Sequence, residues 1–167
     1  MLFPGEPGLS EISISIEHQL LELRQEGRPS LRFSVSTALN GAGQANGSQC
    51  TPLGRHVIRA KAGDGVPPNT VFCGRRPTGE IYSPEYAAIH PGRDWILTRI
   101  MWLAGMQPGK NRLGTCDTMQ RYIYIHGCPD QFPMGIPLSH GCIRMRNTDI
   151  IRLYDLVPLY TRVMITP

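Results

Sequence analysis

Hydrophobic and polar residues alternate over several short stretches of the chain, and this is the pattern of half-buried β-strands. Within residues 11–16, Ile12, Ile14 and Ile16 share one face and serines occupy the other. A Glu-Gly pair at 26–27 predicts a hairpin turn, and the alternation resumes over 31–39. The chain therefore opens with a predicted hairpin of strands.

Further strands are predicted in the rest of the chain. Residues 51–61 are predicted to form a turn followed by a strand, and 121–127 alternates clearly. The apolar stretch 93–105 is interpreted as a strand, although a short buried helix would also fit its composition. Residues 161–165 alternate again and predict a closing strand.

One segment has helical spacing instead. Apolar residues recur there at intervals typical of a helix, at Ile150, Ile151, Tyr154 and Val157. Asn147 is predicted as the N-cap, and Pro158 ends the helix. Elsewhere glycine (18) and proline (15) make up about a fifth of the 167 residues, so 40–50 and 62–94 are predicted as loops.

Together these elements predict a single domain over 1–167. Its fold class is mainly β, a β-sandwich or barrel with one or two short helices. The segment 62–94 is interpreted as an excursion over the surface, and a long loop insertion of this kind often forms a lid over a binding site. The length is sufficient for one buried core.

Charge and hydropathy exclude several classes of function. The net charge is +4, but lysine and arginine are scattered, so no nucleic-acid partner is expected. No apolar run approaches the roughly 18 residues of a membrane span. The first residues lack the pattern of an export signal, which favours a cytoplasmic location; a periplasmic location, with such a signal removed, is the alternative. Five cysteines at irregular spacing are interpreted as reduced thiols.

The residues that carry chemistry lie between 122 and 147. His126 closes a predicted strand, and Cys142 follows 16 residues later in a glycine-flanked turn. A thiol beside a basic imidazole becomes a nucleophile at neutral pH, which indicates acyl transfer through a thioester. The alternative is a zinc site, because two histidines and two cysteines occur in H-x-C pairs, at His126, Cys128, His140 and Cys142.

The motif SHGCIRM at 139–145, preceded by IHG at 125–127 and TPLG at 51–54, resembles the L,D-transpeptidase catalytic domain, the YkuD-like family. The resemblance covers essentially the whole chain and implies a YkuD-like β-fold. It implies that Cys142 is the nucleophile and His126 the base. It also implies that the Gly127 carbonyl orients the imidazole, and that the N–H groups of Gly141 and Cys142 hold the oxyanion.

The resemblance also implies the substrate and its binding residues. Ser139, His140 and Arg144 would line the site, and a guanidinium such as that of Arg144 can bind a carboxylate through two bonds. The substrate would be a peptidoglycan stem tetrapeptide, cleaved between the L-centre of meso-diaminopimelate and D-Ala. Carbapenem-type inhibitors are expected, and no cofactor.

Three functions remain open from the sequence. The favoured one is a cytoplasmic L,D-carboxypeptidase of peptidoglycan recycling, in which water accepts the acyl group. The second is an L,D-transpeptidase, in which an amine accepts it to form crosslinks or exchange D-amino acids. The third, of another class, is a zinc-stabilised module that binds wall peptides without turnover.

Overall fold

The computed structural model describes residues 9–167. The predicted domain and the predicted lack of an export signal both include residues 1–8, which lie outside the described residues. Regular structure in this range comprises ten strands, two α-helices and one turn of 3-10 helix at Gly114–Cys116. The strands are β1 (Ser10–Ser15), β2 (Leu20–Gln25), β3 (Leu31–Ser34), β4 (Gly54–Ala62), β5 (Thr70–Cys73), β6 (Arg76–Ile81), β7 (Leu97–Gly105), β8 (Tyr124–Gly127), β9 (Ile143–Met145) and β10 (Arg162–Thr166). The helices are α1 (Pro84–Ala88) and α2 (Asn147–Leu156).

The strands form one strongly curved sheet. Its neighbours run β3-β2-β1-β10-β4-β7, and β7 continues through β8 to β9. Two pairs are parallel, β1 with β10 and β8 with β9. Just beyond β3, Ser36 exchanges two backbone hydrogen bonds of 2.9 Å with Arg144 of β9. This last bridge joins the two ends of the sheet, so the sheet is nearly a closed barrel.

The core fills the inside of this barrel. The alternation at the start of the chain buries Ile12 and Ile14 against Leu21 and Leu23 of the neighbouring strand. The same cluster includes side chains from β4, β7, β8, β9, β10 and α2. Each such side chain contributes about 1.5–3 kcal/mol when fully buried. The predicted mainly β class is therefore confirmed.

In residues 9–167, no helix is long and apolar enough to cross a membrane.

The segment 62–94 differs from the prediction of a surface excursion. It contains the β5–β6 hairpin, which joins the sheet where Val71 pairs with Leu97, and the short helix α1. The sequence pattern concealed both strands for physical reasons. Residues 70–72 are buried without alternation, and β6 is an exposed edge strand that contains Pro77 and Gly79.

Two boundaries near the candidate site also differ from prediction. Strand β8 begins at Tyr124 rather than at 121, because Tyr122 adopts a left-handed conformation with φ +56°. Helix α2 forms as predicted, but Arg146 is its N-cap residue and no side chain caps it. Asn147 is instead the first helical residue, and its side chain bonds to other segments of the chain.

The Asn147 side chain joins several segments beneath the candidate site. Its amide nitrogen donates to the Cys128 carbonyl at 2.9 Å and to the Asp130 carboxylate at 2.9 Å, and Asn69 Oδ1 lies at 3.0 Å. Its oxygen accepts from the Thr98 hydroxyl. The residue is 4% exposed, so the loss of these bonds would leave buried polar groups unsatisfied.

We expect Asn147→Ala to lower the free energy of unfolding by ~2–4 kcal/mol, because the buried Thr98 hydroxyl and Cys128 carbonyl both lose this partner. Urea unfolding followed by circular dichroism measures this change. Thr148→Ala is the matched control, since Thr148 is the exposed next residue of the same helix turn. Equal effects of the two substitutions would contradict the role assigned to the Asn147 side chain.

Candidate active site

The parallel pair β8–β9 brings the two chemically active residues of the motif together. In its register His126 lies opposite Arg144. Cys142 comes directly before β9 and therefore lies beside Tyr124 at the start of β8. The Tyr124 N–H donates to Cys142 Sγ at 3.3 Å, and Sγ donates to the Tyr122 carbonyl at 3.3 Å. Residues 16 apart in sequence thus lie on adjacent strands.

A cavity of about 480 Å³ opens over this strand pair. Five of the seven predicted site residues line it, at His126, Ser139, His140, Cys142 and Arg144. The other two, Gly127 and Gly141, have no side chain and are not among the lining residues. The turn of the β5–β6 hairpin, residues 73–75, forms another part of the wall. The lid-like insertion predicted over 62–94 thus reaches the cavity through this hairpin.

His126 is held in one orientation by a backbone bond. Its side chain is 2% exposed, and Nδ1 lies 2.6 Å from the Gly127 carbonyl oxygen. Because a carbonyl only accepts, Nδ1 carries the proton and Nε2 is the basic nitrogen. Burial lowers the pKa of His126, so the imidazole is neutral at pH 7.

Burial also shifts the pKa of Cys142. The residue is half-buried, and desolvation raises the pKa of its thiol to about 12. Desolvation thus disfavours both the imidazolium of His126 and the thiolate of Cys142.

The turn before Cys142 is fixed by two hydroxyl groups. Ser139 Oγ donates to the Cys142 carbonyl at 2.5 Å and accepts the Gly141 N–H at 3.2 Å. Thr51 Oγ1 donates to the Gly141 carbonyl at 2.9 Å and accepts the Ala38 N–H at 3.0 Å. Gly141 has φ +131°, a conformation that glycine permits. The Gly141 N–H is thus bonded to Ser139, which differs from its predicted freedom to hold an oxyanion.

Thr51 is a positioning residue that the sequence analysis did not single out, although TPLG contributed to the family resemblance. Its distance of 90 residues from Gly141 hid the contact. Gly127 is a second case of tertiary constraint. A Cβ at Gly127 would lie 2.5 Å from Asn147 Oδ1 and 2.6 Å from the Leu97 carbonyl, so only glycine fits there.

Arg144 carries a charge that is already partly neutralised. It is 7% exposed, and Nη2 lies 3.3 Å from Asp94 Oδ1, while Nη1 donates to the Leu138 carbonyl at 3.3 Å. His140 Nδ1 lies 3.7 Å from the other oxygen of Asp94. Asp94 was not identified from the sequence, because it lies in the segment interpreted as a surface excursion.

The zinc arrangement is not formed. Cys128 is buried, and its thiol donates to the Met145 carbonyl at 3.4 Å. Within residues 9–167, no three His, Cys, Asp or Glu side chains converge as metal ligands. Strand β8 ends at Gly127, so the alternation that would place Cys128 beside His126 stops one residue too early.

The comparisons agree with this fold and with the motif. The family model of the YkuD domain, the L,D-transpeptidase catalytic domain, matches residues 10–165. The chain belongs to this family. The YkuD fold is therefore confirmed along almost the whole chain, as the motif predicted, and the family is one of enzymes.

Relatives with closely similar sequence match over short segments. The probable L,D-transpeptidase ErfK/SrfK of Salmonella typhimurium is 51% identical over 45 residues, which are 27% of this chain and 15% of that protein. The probable L,D-transpeptidase YbiS of Escherichia coli K12 is 49% identical over 43 residues, 26% of this chain and 14% of that protein. The matched segment is thus a small part of these relatives.

Solved structures of L,D-transpeptidases share the fold over nearly the whole chain. An L,D-transpeptidase from Xylanimonas cellulosilytica superposes with a TM-score of 0.54 at 18% identity, covering 99% of this chain and 64% of that one. L,D-transpeptidase 3 from Mycobacterium tuberculosis, in complex with a faropenem-derived adduct, gives 0.56 at 15% identity, covering 95% and 60%. At these identities the likeness establishes the fold.

We expect the rate at which iodoacetamide alkylates Cys142 to keep rising with pH through and beyond about 8.5, the ordinary pKa of a thiol, without levelling off there. Burial has raised the pKa of this thiol, so little thiolate exists at neutral pH. Mass spectrometry of the Cys142 peptide measures the rate, and the exposed Cys73 in the same sample is the internal reference. A plateau of reactivity already reached below pH 7 would instead indicate an imidazolium–thiolate pair.

Proposed function

We propose that this YkuD-family chain is a cysteine acyl-enzyme that removes the terminal D-Ala from a peptidoglycan stem tetrapeptide. The observation that carries the proposal is that Cys142 and His126 line one cavity, where the paired strands β8 and β9 hold them side by side. A neutral imidazole can accept a proton, and a thiol that loses its proton during attack becomes a strong nucleophile.

In the first step, Cys142 Sγ attacks the carbonyl carbon at the L-centre of the diamino acid. His126 Nε2 takes the thiol proton, and the Gly127 carbonyl stabilises the imidazolium through Nδ1–H. The Cys142 N–H binds the oxyanion; the Gly141 N–H can join it when the Ser139 hydroxyl turns away. The C–N bond then breaks, and His126 gives the proton to the leaving amine of D-Ala.

In the second step, the thioester is resolved. We propose water as the favoured acceptor, with His126 as its general base, so that the products are tripeptide and free thiol. This reaction is that of an L,D-carboxypeptidase of peptidoglycan recycling in the cytoplasm. All five cysteines are unpaired, which supports a reducing compartment.

The charge of the cavity supports an anionic substrate. Four arginines and a single acidic side chain, Asp94, are among its lining residues. A stem tetrapeptide ending in meso-diaminopimelate and D-Ala carries carboxylates that such a wall attracts. Ser139 and His140 complete the wall near the nucleophile, with Arg144 beside them.

Transpeptidation is the second candidate, and Asp94 is the observation that favours it. Its side chain is 47% exposed at the cavity, so one face of the carboxylate is open to bind an amine. An amine held there could attack the thioester in place of water, with His126 as its base. The product would then be a crosslinked or exchanged peptide.

The direct test is mass spectrometry of the protein with a stem tetrapeptide, with and without an excess of a second D-amino acid. We expect tripeptide and free D-Ala, with little exchange. Cys142→Ala should abolish turnover and leave the melting temperature nearly unchanged. Cys116→Ala is the control, because Cys116 does not line the cavity, and this variant should keep its activity. Turnover by Cys142→Ala would refute the nucleophile, and efficient exchange would favour the amine acceptor.

Carbapenem-type β-lactams should acylate Cys142 through opening of the four-membered ring, because the thiol attacks the lactam carbonyl in the same way. No group leaves, so the intact protein should gain the full mass of the inhibitor. The structure of the Mycobacterium tuberculosis L,D-transpeptidase 3 with a faropenem-derived adduct supports reaction of a β-lactam with a protein of this fold. An identical mass gain in Cys142→Ala would place the adduct on another residue.

A further inference from the structure

Arg75 occupies the tip of the β5–β6 hairpin and lines the cavity that contains Cys142. The hairpin closes where Cys73 pairs with Arg76, so Gly74 and Arg75 form its two-residue turn. Arg75 Nη1 donates a hydrogen bond to the Tyr124 hydroxyl at 3.1 Å. Tyr124 in turn donates its backbone N–H to Cys142 Sγ. The Arg75 guanidinium is therefore connected to the nucleophile through one residue.

Aromatic rings hold the Arg75 guanidinium at this place. Its central carbon lies 4.7 Å from the ring centroid of Trp102 and 5.1 Å from that of Tyr122. Stacking of this kind occupies the face of a guanidinium and leaves its in-plane N–H donors available. Only one of five donors is bonded to Tyr124, so Arg75 can still bind an acceptor with two bonds.

The other three arginines that line the cavity are already engaged. Arg144 pairs with Asp94 at 3.3 Å, and Arg93 lies 3.6 Å from the carboxylate of Glu80. Arg121 donates to the carbonyls of residues 43 and 50, at 3.2 and 2.6 Å. Among residues 9–167, by contrast, no carboxylate lies within ion-pair distance of Arg75. The positive charge at the hairpin tip is thus available to a ligand.

The backbone at the tip points to a function for this side chain. Gly74 and Arg75 both have positive φ, +54° and +65°, which is the type I′ geometry of tight hairpins. Asparagine and glycine adopt this turn at least cost, whereas an arginine there is strained. Turn formation alone therefore does not explain an arginine at 75, and such outliers cluster at ligand-binding sites.

We propose that Arg75 is a specificity-determining residue that binds a free carboxylate of the stem peptide by a bidentate contact. This rests on the proposed function. Two carboxylates share the required chemistry, the side-chain carboxylate of the diamino acid and the terminal carboxylate of D-Ala. Arg75 recognises one of them while the aromatic rings fix the guanidinium plane.

The test compares three tetrapeptides: one with both carboxylates free, one amidated on the diamino acid, and one amidated on D-Ala. The wild-type protein should discriminate against one amide. Arg75→Gln should raise the KM for the free peptide about ten-fold or more, change kcat little, and abolish that discrimination. One amidated peptide should be a poor substrate for the wild type but equal to the free peptide for Arg75→Gln. The position of that amide identifies the carboxylate that Arg75 binds.

Two further variants make the test specific. Arg75→Lys keeps the charge but loses the fork geometry, so it should restore only part of the affinity. Arg76→Gln is the matched control, because Arg76 is the exposed next residue of the same hairpin and does not line the cavity. It should keep wild-type KM values. The inference is overturned if Arg75→Gln keeps the wild-type discrimination, or if it slows all three peptides equally.

A second readout does not depend on the proposed function. Iodoacetate carries a carboxylate and iodoacetamide does not, so the ratio of their alkylation rates at Cys142 reports anion binding beside the thiol. Arg75→Gln should lower this ratio about three-fold or more, and Arg76→Gln should leave it unchanged. If no tetrapeptide is turned over, the proposed function fails while this ratio still decides the role of Arg75. An unchanged ratio in Arg75→Gln overturns it.

Discussion

The parallel pairing of β8 with β9 is the contact on which the rest of the site depends. It fixes His126 opposite Arg144 and leaves Cys142 beside Tyr124. Parallel strands cannot be joined by a tight turn, so residues 128–142 must run out and return as a long connection. That connection forms part of the cavity wall. The same strand β9 also closes the barrel through Ser36, so the site and the core share one structural element.

Burial governs the chemistry of the candidate pair. A solvent-exposed thiol and imidazole could exchange a proton at rest, but desolvation disfavours both charged forms. Burial lowers the pKa of His126 and raises the pKa of Cys142, so both shifts oppose formation of an ion pair. The Gly127 carbonyl then becomes important, because it selects the tautomer that leaves Nε2 basic.

The charged side chains around the pair differ in the partners that hold them. Arg144 and Arg121 each bond to protein acceptors, which positions the loops of the cavity wall. The Asp94 carboxylate contacts both Arg144 and His140 at the mouth of the site. Arg75 differs from these residues, because aromatic faces and a hydroxyl hold it without neutralising its charge. This difference is visible only in three dimensions, since all are arginines of a mildly basic chain.

The sequence by itself determined the strands at Ile12, Ile14 and 161–165, the helix from residue 147 and the residues of the motif. Period-two and helical spacing depend on which face of a local segment is buried, so nearby residues suffice to reveal them. The tertiary structure alone decided the three-residue strand β9, the link between Thr51 and Gly141, and the close approach that requires Gly127. It also decided that Asn147 joins loops instead of capping its helix. These contacts join residues that are distant in sequence. The local pattern of apolar and polar residues does not reveal how close a distant segment packs or which charges it carries.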